Sequence, residues 1–200
     1  LAVYGSRAAN GIVMVKTKQG GKGKTAVNYT FNAEFSQPTK LLKKTRGYDY
    51  AYNQMLAGIN DGLDEADLPF NQEVLDIIKN QSDPYTSGHA DTDWLGEGLK
   101  TVAPQYKHTV SLSGSGNKVN YYISLGMLNQ GSIYTSNALN YDRYTVRSNV
   151  NTTFDKIGLK VSLNLNGAYE KKEYPSFSAA KIWEDLYNQS PLNPAYNKDG

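Results

Sequence analysis

The sequence predicts a mainly β chain of five amphipathic antiparallel strands, with short helices confined to its connections. Three observations carry this expectation. Hydrophobicity alternates with period two in five separate segments. The connections between those segments alternate in length. No apolar run approaches the ~20 residues that a membrane-spanning helix needs.

Successive side chains on a strand point to opposite faces, so each segment separates an apolar row from a polar one. In residues 25–35, Val27, Tyr29, Phe31, Ala33 and Phe35 oppose Asn28, Thr30, Asn32 and Glu34. In 106–113, Val110 and Leu112 oppose Lys107, Thr109, Ser111 and Ser113. In 120–129, Tyr121, Ile123, Leu125 and Met127 oppose Asn120, Tyr122, Ser124 and Gly126. In 143–154, Tyr144, Val146, Val150 and Phe154 oppose Arg143, Thr145, Arg147, Asn149, Asn151 and Thr153. In 157–169, Ile157, Leu159, Val161, Leu163, Leu165 and Tyr169 oppose Lys160, Ser162, Asn164 and Asn166.

The connections run long, short, medium, short, long. Residues 36–105 form a long insert, Gly114-Ser115-Gly116-Asn117-Lys118 a tight turn, 131–142 a medium loop and Asp155-Lys156 a two-residue hairpin connection, and a new excursion opens at Lys171. That parity fits a transmembrane β-barrel, with brief turns on one side and extended loops on the other. A soluble β-sandwich would not keep it. The insert predicts helices over 48–59, with Gly62 as a stop, and over 71–80; a third, over 178–188, has Ser178 as its cap and Pro191 beyond its end.

Composition narrows the function classes. A net charge of +2 with dispersed basic residues leaves no footprint for nucleic acid. The absence of cysteine removes disulfides, thiolate metal sites and thiol nucleophiles, and fits export through an oxidising compartment. Sixteen tyrosines among many Asn, Ser, Thr and Gly suit β structure with a wet face. The chain starts at Leu1 and stops in the loop-like Asn197-Lys198-Asp199-Gly200, so a piece of a longer protein is expected.

The stretch Ala2-Val3-Tyr4-Gly5-Ser6-Arg7-Ala8-Ala9-Asn10-Gly11-Ile12-Val13-Met14-Val15-Lys16-Thr17-Lys18 resembles the end of the plug in SusC/RagA-type TonB-dependent outer-membrane transporters. Asp91-Thr92-Asp93-Trp94, the strand Asn120-Tyr121-Tyr122-Ile123-Ser124-Leu125-Gly126-Met127-Leu128-Asn129-Gln130, and Ser190-Pro191-Leu192-Asn193-Pro194-Ala195-Tyr196 are similar to later family motifs in the same order. The resemblance implies a 22-stranded barrel with a plugged lumen. It assigns 1–20 to the end of the plug, 21–24 to a linker, 25–173 to the first barrel strands with the extracellular loop 36–105, and 174–200 to the start of the next loop. It further implies import of oligosaccharides or peptides through the outer membrane of a Bacteroidetes-type Gram-negative cell. Its implied partners are TonB, acting through an N-terminal segment outside this sequence, a SusD-like lipoprotein cap and outer-membrane lipid. No cofactor, catalytic residue or metal ligand is implied.

Each candidate motif also has a structural reading. Gly5 and Gly11 fit neither a dinucleotide fingerprint nor a P-loop, and read as turns within the plug-end motif Tyr4, Gly5, Ser6, Arg7, Ala8, Ala9, Asn10, Gly11. Arg7 is expected to pair with a carboxylate of plug or barrel, and residues 12–15 to form a buried plug strand. His89, Asp91 and Asp93 have ligand chemistry but read as a solvated loop, as does Asn197-x-Asp199-Gly200 beside a calcium loop. Asp61, Asp64, Glu65 and Asp67 read as an acidic connector rather than a catalytic carboxylate pair. Arg143, Arg147, Asn149 and Asn151 share a polar strand face and are the lumen-facing candidates. Trp94 and Trp183 suit either sugar stacking or loop cores. The competing functions are an extracellular carbohydrate-binding or adhesin module without transport, and a β-sandwich enzyme such as a glycoside hydrolase.

Overall fold

The computed structural model describes residues 13, 15, 17–21 and 23–199. Five strands form one antiparallel sheet whose spatial order follows the chain: β1 (Ala26–Ser36), β2 (Ala103–Ser115), β3 (Val119–Gln130), β4 (Asn140–Phe154) and β5 (Leu159–Glu173). Among the described residues four α-helices occupy the connections: α1 (Gly47–Asn60), α2 (Gln72–Asn80), α3 (Trp94–Gly98) and α4 (Ala179–Asn188), with a 3-10 turn at Glu65–Asp67. All five expected strands form, several of them longer than the alternation alone marks.

The chain divides into two compact units. Of the described residues, the first contains those up to 32, 106–128 and 142–171, and hence both short turns; the second contains 33–105, 129–141 and 172–199, and hence the longer connections. Short and long connections are therefore segregated, as the sequence parity requires.

In the first unit, parity places Val27, Tyr29, Phe31, Val110, Ile123, Leu125, Val146, Leu159, Val161 and Leu163 on one sheet face, all of them exposed. Cross-strand aromatics mark that face: the Tyr29 hydroxyl lies 2.8 Å from His108 Nδ1, Phe31 packs on the His108 ring at 4.8 Å between centroids, and Tyr144 lies 6.3 Å from Tyr169. Its middle is a shallow apolar groove between Val110, Leu125, Met127, Tyr144, Val146 and Tyr169. The β2–β3 turn closes through Gly116 N–H donating to Val119 O at 2.7 Å. Lys118 then reaches Asp155 of the other short turn at 3.6 Å.

Two expectations need correction. The β4–β5 connection is not the two-residue Asp155-Lys156. A 3-10 turn takes Asp155–Ile157, and Gly158 follows at φ +64, a left-handed angle that a side chain disfavours. Ile157 belongs to this turn, so the apolar row of β5 begins at Leu159. The burial expected for residues 12–15 also fails where it is described: Val13 is 92% and Val15 80% exposed, and neither lies in a strand. Burying them requires a sheet partner, which the described residues do not supply.

The second unit is an ordinary globular core. Ala51, Leu75, Ile78 and Leu192 are buried together, with Tyr48, Tyr50, Met55, Phe70 and Val74 around them. Leu95, Leu99 and Tyr134 form a second cluster, joined by Ile182, Trp183 and Leu186 of α4. Local chemistry sets the helix starts. Asn71 accepts from Val74 N–H and Ser178 from Lys181 N–H, each relieving an unpaired donor of the first turn. Asp61, Asp64, Glu65 and Asp67 are exposed, as an acidic connector requires.

Candidate functional site: a polar sheet face and its connector

The face of the sheet opposite the apolar row is built from the alternate residues of the same strands. Lys107, Thr109, Tyr122, Ser124, Arg143, Thr145, Arg147 and Asn166 line one depression of about 390 Å³. Lys18, from the segment preceding β1, lines it too. No carboxylate lines this depression among the described residues, although Glu170 lies 3.5 Å from Arg143 Nε and offsets part of its charge. The result is a wet, cationic wall suited to anionic or strongly hydrogen-bonding groups.

Three of the four lumen-facing candidates acquire distinct surroundings. Arg143 and Arg147 line the depression. Asn149 is 3% exposed and is the buried polar residue of the described chain. Its Nδ2 donates to Lys18 O at 2.6 Å and to Thr17 Oγ1 at 3.3 Å. Asn151 shares their face by parity and is half-buried. The plug-end motif, residues 4–11 with Arg7, lies outside the described residues. Lys107 and Lys18 complete the wall but were not picked out by sequence. Lys107 is marked by its parity with Thr109, whereas Lys18 lies outside any strand and carries no such signal.

The second unit brings together motifs that are far apart in sequence. Thr92 N–H donates to Pro191 O at 2.8 Å, Thr92 Oγ1 to Asn193 O at 2.6 Å, and Trp94 Nε1 to Ser190 O at 2.8 Å. The 91–94 and 190–196 segments are thus two halves of one hydrogen-bonded junction. Asp91 anchors it from the other side, accepting from Gly47 N–H at 2.6 Å and from Arg46 at 2.8 and 3.1 Å. Trp94 is thus half-buried with its indole N–H engaged in the junction, whereas Trp183 is the tryptophan that packs into a loop core, against Leu95, Leu99 and Tyr134.

His89, Asp91 and Asp93 do not converge. His89 Nδ1 lies 2.9 Å from Asp83, Asp91 faces Arg46, and Asp93 caps α3 by accepting from Gly96 N–H at 3.2 Å. Among the described residues no cluster of three such side chains could hold a metal ion. The hydrogen bond from His89 holds the Asp83 carboxyl below its ordinary range. Partial burial pushes Lys44 down while Asp93 opposes the shift; its ammonium donates to Leu186 O and Gln189 O at the end of α4. The hydrogen bond to Glu97 raises Tyr196.

Asp91→Ala should loosen this junction. It removes the carboxylate that accepts from Gly47 N–H and from the Arg46 guanidinium, which keeps only Asp91 O at 3.1 Å and the more distant Asp93, a loss of about 1–3 kcal/mol. Limited proteolysis of the folded full-length protein should cut faster within 36–105, whereas Asp61→Ala, on an exposed connector, should leave the rate unchanged.

No family model matches the chain. It is 31% identical to the TonB-dependent receptor SusC of Bacteroides thetaiotaomicron over 90% of this chain and 16% of that protein. It is 30% identical to the TonB-dependent receptor P26 of Formosa agariphila over 100% of this chain and 18% of that protein. The chain thus spans less than a fifth of the length of these curated relatives. Among solved structures, the RagAB peptide transporter aligns with a TM-score of 0.62 at 26% identity, covering 86% of this chain and 20% of that one. These matches agree with the five-stranded meander and the segregated loops: the chain belongs to the SusC/RagA-type TonB-dependent transporters.

Proposed function

We propose that this chain contributes five adjacent strands and the first loops of an outer-membrane transporter, with the apolar sheet face against lipid and the polar face lining the lumen. The observation that carries this reading is the inversion of the sheet. Its apolar row has exposed members on all five strands, with Leu112, Tyr121 and Val150 half-buried, while its buried polar residue, Asn149, lies on the opposite face. A contiguous apolar surface of that extent is not left to water. An apolar band outside and a polar interior is the barrel pattern. The same inversion weighs against the carbohydrate-binding, adhesin and β-sandwich enzyme readings, which need the apolar row in a core. β1 and β5 border the sheet, and further strands of a closed barrel would cover those edges.

Residues 1–20 are assigned to the end of the plug, 21–24 to a linker, and 174–200 to the start of the next extracellular loop, which includes α4. The family relationship supports energised import of oligosaccharides or peptides, coupling through TonB and a SusD-like lipoprotein over the extracellular side. No enzymatic step is assigned. In cells making the full-length protein, uptake of labelled oligosaccharide or peptide mixtures should stop when TonB is deleted or the proton gradient is collapsed, with the protein still in the outer-membrane fraction. Uptake that survives both treatments would sink the energised reading. The mixture that is taken up identifies the cargo class.

A further inference from the structure

We propose that Asn149 is a positioning residue that docks the connector, residues 17–25, onto the polar wall through neutral hydrogen bonds that work against electrostatic repulsion. The inference rests on the transporter reading and adds a fixed point to it.

The charges come first. Residues 1–25 contain Arg7, Lys16, Lys18, Lys22 and Lys24 and no Asp or Glu. Of these, Lys18 lines the depression to which Lys107, Arg143 and Arg147 also contribute. Glu170, 3.5 Å from Arg143, offsets only part of that charge, so the balance at Lys18 is repulsive. The attraction comes from the Asn149 amide, whose Nδ2 reaches Lys18 O at 2.6 Å and Thr17 Oγ1 at 3.3 Å from a buried position. Buried amides leave a large penalty behind when their partners go, so the contact is maintained once made.

Two further contacts continue the dock toward β1. At Gly20 a Cβ would lie 2.8 Å from Gly114 O and closer still to the Tyr121 backbone, so only glycine lets the connector lie this close to the sheet. Ser115 N–H then donates to Gly23 O at 3.3 Å, and the Thr25 and Tyr121 hydroxyls hydrogen-bond. Contacts at Thr17, Lys18, Gly20, Gly23 and Thr25 make Thr17 a boundary: rearrangement of the plug during import takes place on its N-terminal side, and the barrel end stays seated.

The test uses the unmodified full-length transporter in detergent. Cleavage after Lys18 by a lysine-specific protease, scaled to cleavage of the free 13–27 peptide, reads how often the connector leaves the wall, because the protease needs released backbone and not only the exposed Lys18 side chain. Asn149→Ala should speed cleavage about tenfold. Asn149→Gln, which retains the amide, should recover part of the protection, and Asn151→Ala should change nothing. Unchanged cleavage in Asn149→Ala, or an equal rise in Asn151→Ala, overturns the proposal. Should Asn149 variants fail to assemble, salt decides in the unmodified protein. Raising salt from about 0.01 to 1 M shrinks the screening length from about 30 to 3 Å. Scaled cleavage should slow, because screening relieves the repulsion that opposes docking. Cleavage that accelerates would mean that ion pairs hold the connector, and the dock would be wrong. Cleavage and uptake are separate readouts. A protein whose cleavage obeys these rules while it imports nothing keeps the dock and loses the transport reading; normal uptake with cleavage indifferent to Asn149 does the reverse.

Discussion

Leu163→Arg in the full-length protein should strongly impair barrel assembly, whereas Asn164→Arg should be mild. Leu163 belongs to the exposed apolar row of β5, at 62% exposure, and its neighbour Asn164 points to the other face, where Asn166 lines the polar depression. An arginine on the lipid side destabilises by about 2–4 kcal/mol near the bilayer midplane and by less toward the interfaces. On the polar face, which the proposed reading turns to the lumen, the same guanidinium meets water and costs little. The fraction of protein that migrates as a compact barrel before heating, and unfolds on heating, measures the difference. Equal losses for the two variants would mean that the sheet has no lipid-facing row, and would return the β-sandwich readings to contention.

The strands were legible because the physics that builds them has a short period. Alternation is a two-residue signal, and a sheet with one wet face must carry it wherever it lies. The turns were legible in length and less so in detail. Gly158 was not singled out, and the extra residues that its left-handed turn needs made a four-residue connection look like two. Helix α3 escaped because five residues are too few to show a 3.6-residue period; its one local sign is Asp93, three residues ahead of the Gly96 N–H that it caps. Parity alone puts the wall candidates Arg143, Arg147, Asn149 and Asn151 on one sheet face, yet nothing local distinguishes the buried Asn149 from the half-buried Asn151. What sets it apart are its hydrogen bonds to Thr17 and Lys18, across separations of 132 and 131 residues. The junction of Thr92 with Asn193, 101 residues away, was hidden for the same reason. Both segments had been noted as motifs, and the structure supplies the reason for each in the other.

Leu75→Ala should loosen the second unit without disturbing the sheet. Leu75 is fully buried on α2 against Ala51, Ile78 and Leu192, and no strand residue belongs to that cluster. Truncation removes apolar contacts and leaves a cavity that helices α1 and α2 cannot wholly close, at a cost of about 2–5 kcal/mol. The core is small, with few fully buried side chains, so that loss is a large share of what holds the loop together. The expected result in the assembled full-length protein is rapid proteolytic nicking within 36–105, while the heat-modifiable barrel band keeps its intensity. Leu63→Ala serves as the control: Leu63 is 46% exposed beyond the end of α1 and should shift proteolysis little. If Leu75→Ala instead removes the barrel band, the strands depend on the loop core to assemble, and the two units do not fold separately. If Leu63→Ala is as damaging as Leu75→Ala, the buried cluster has been wrongly located. The outcome also bears on import. A loop core that melts while the barrel persists would expose the junction of 91–94 with 190–193, so that any cargo or lid contact made by these loops fails before the wall does.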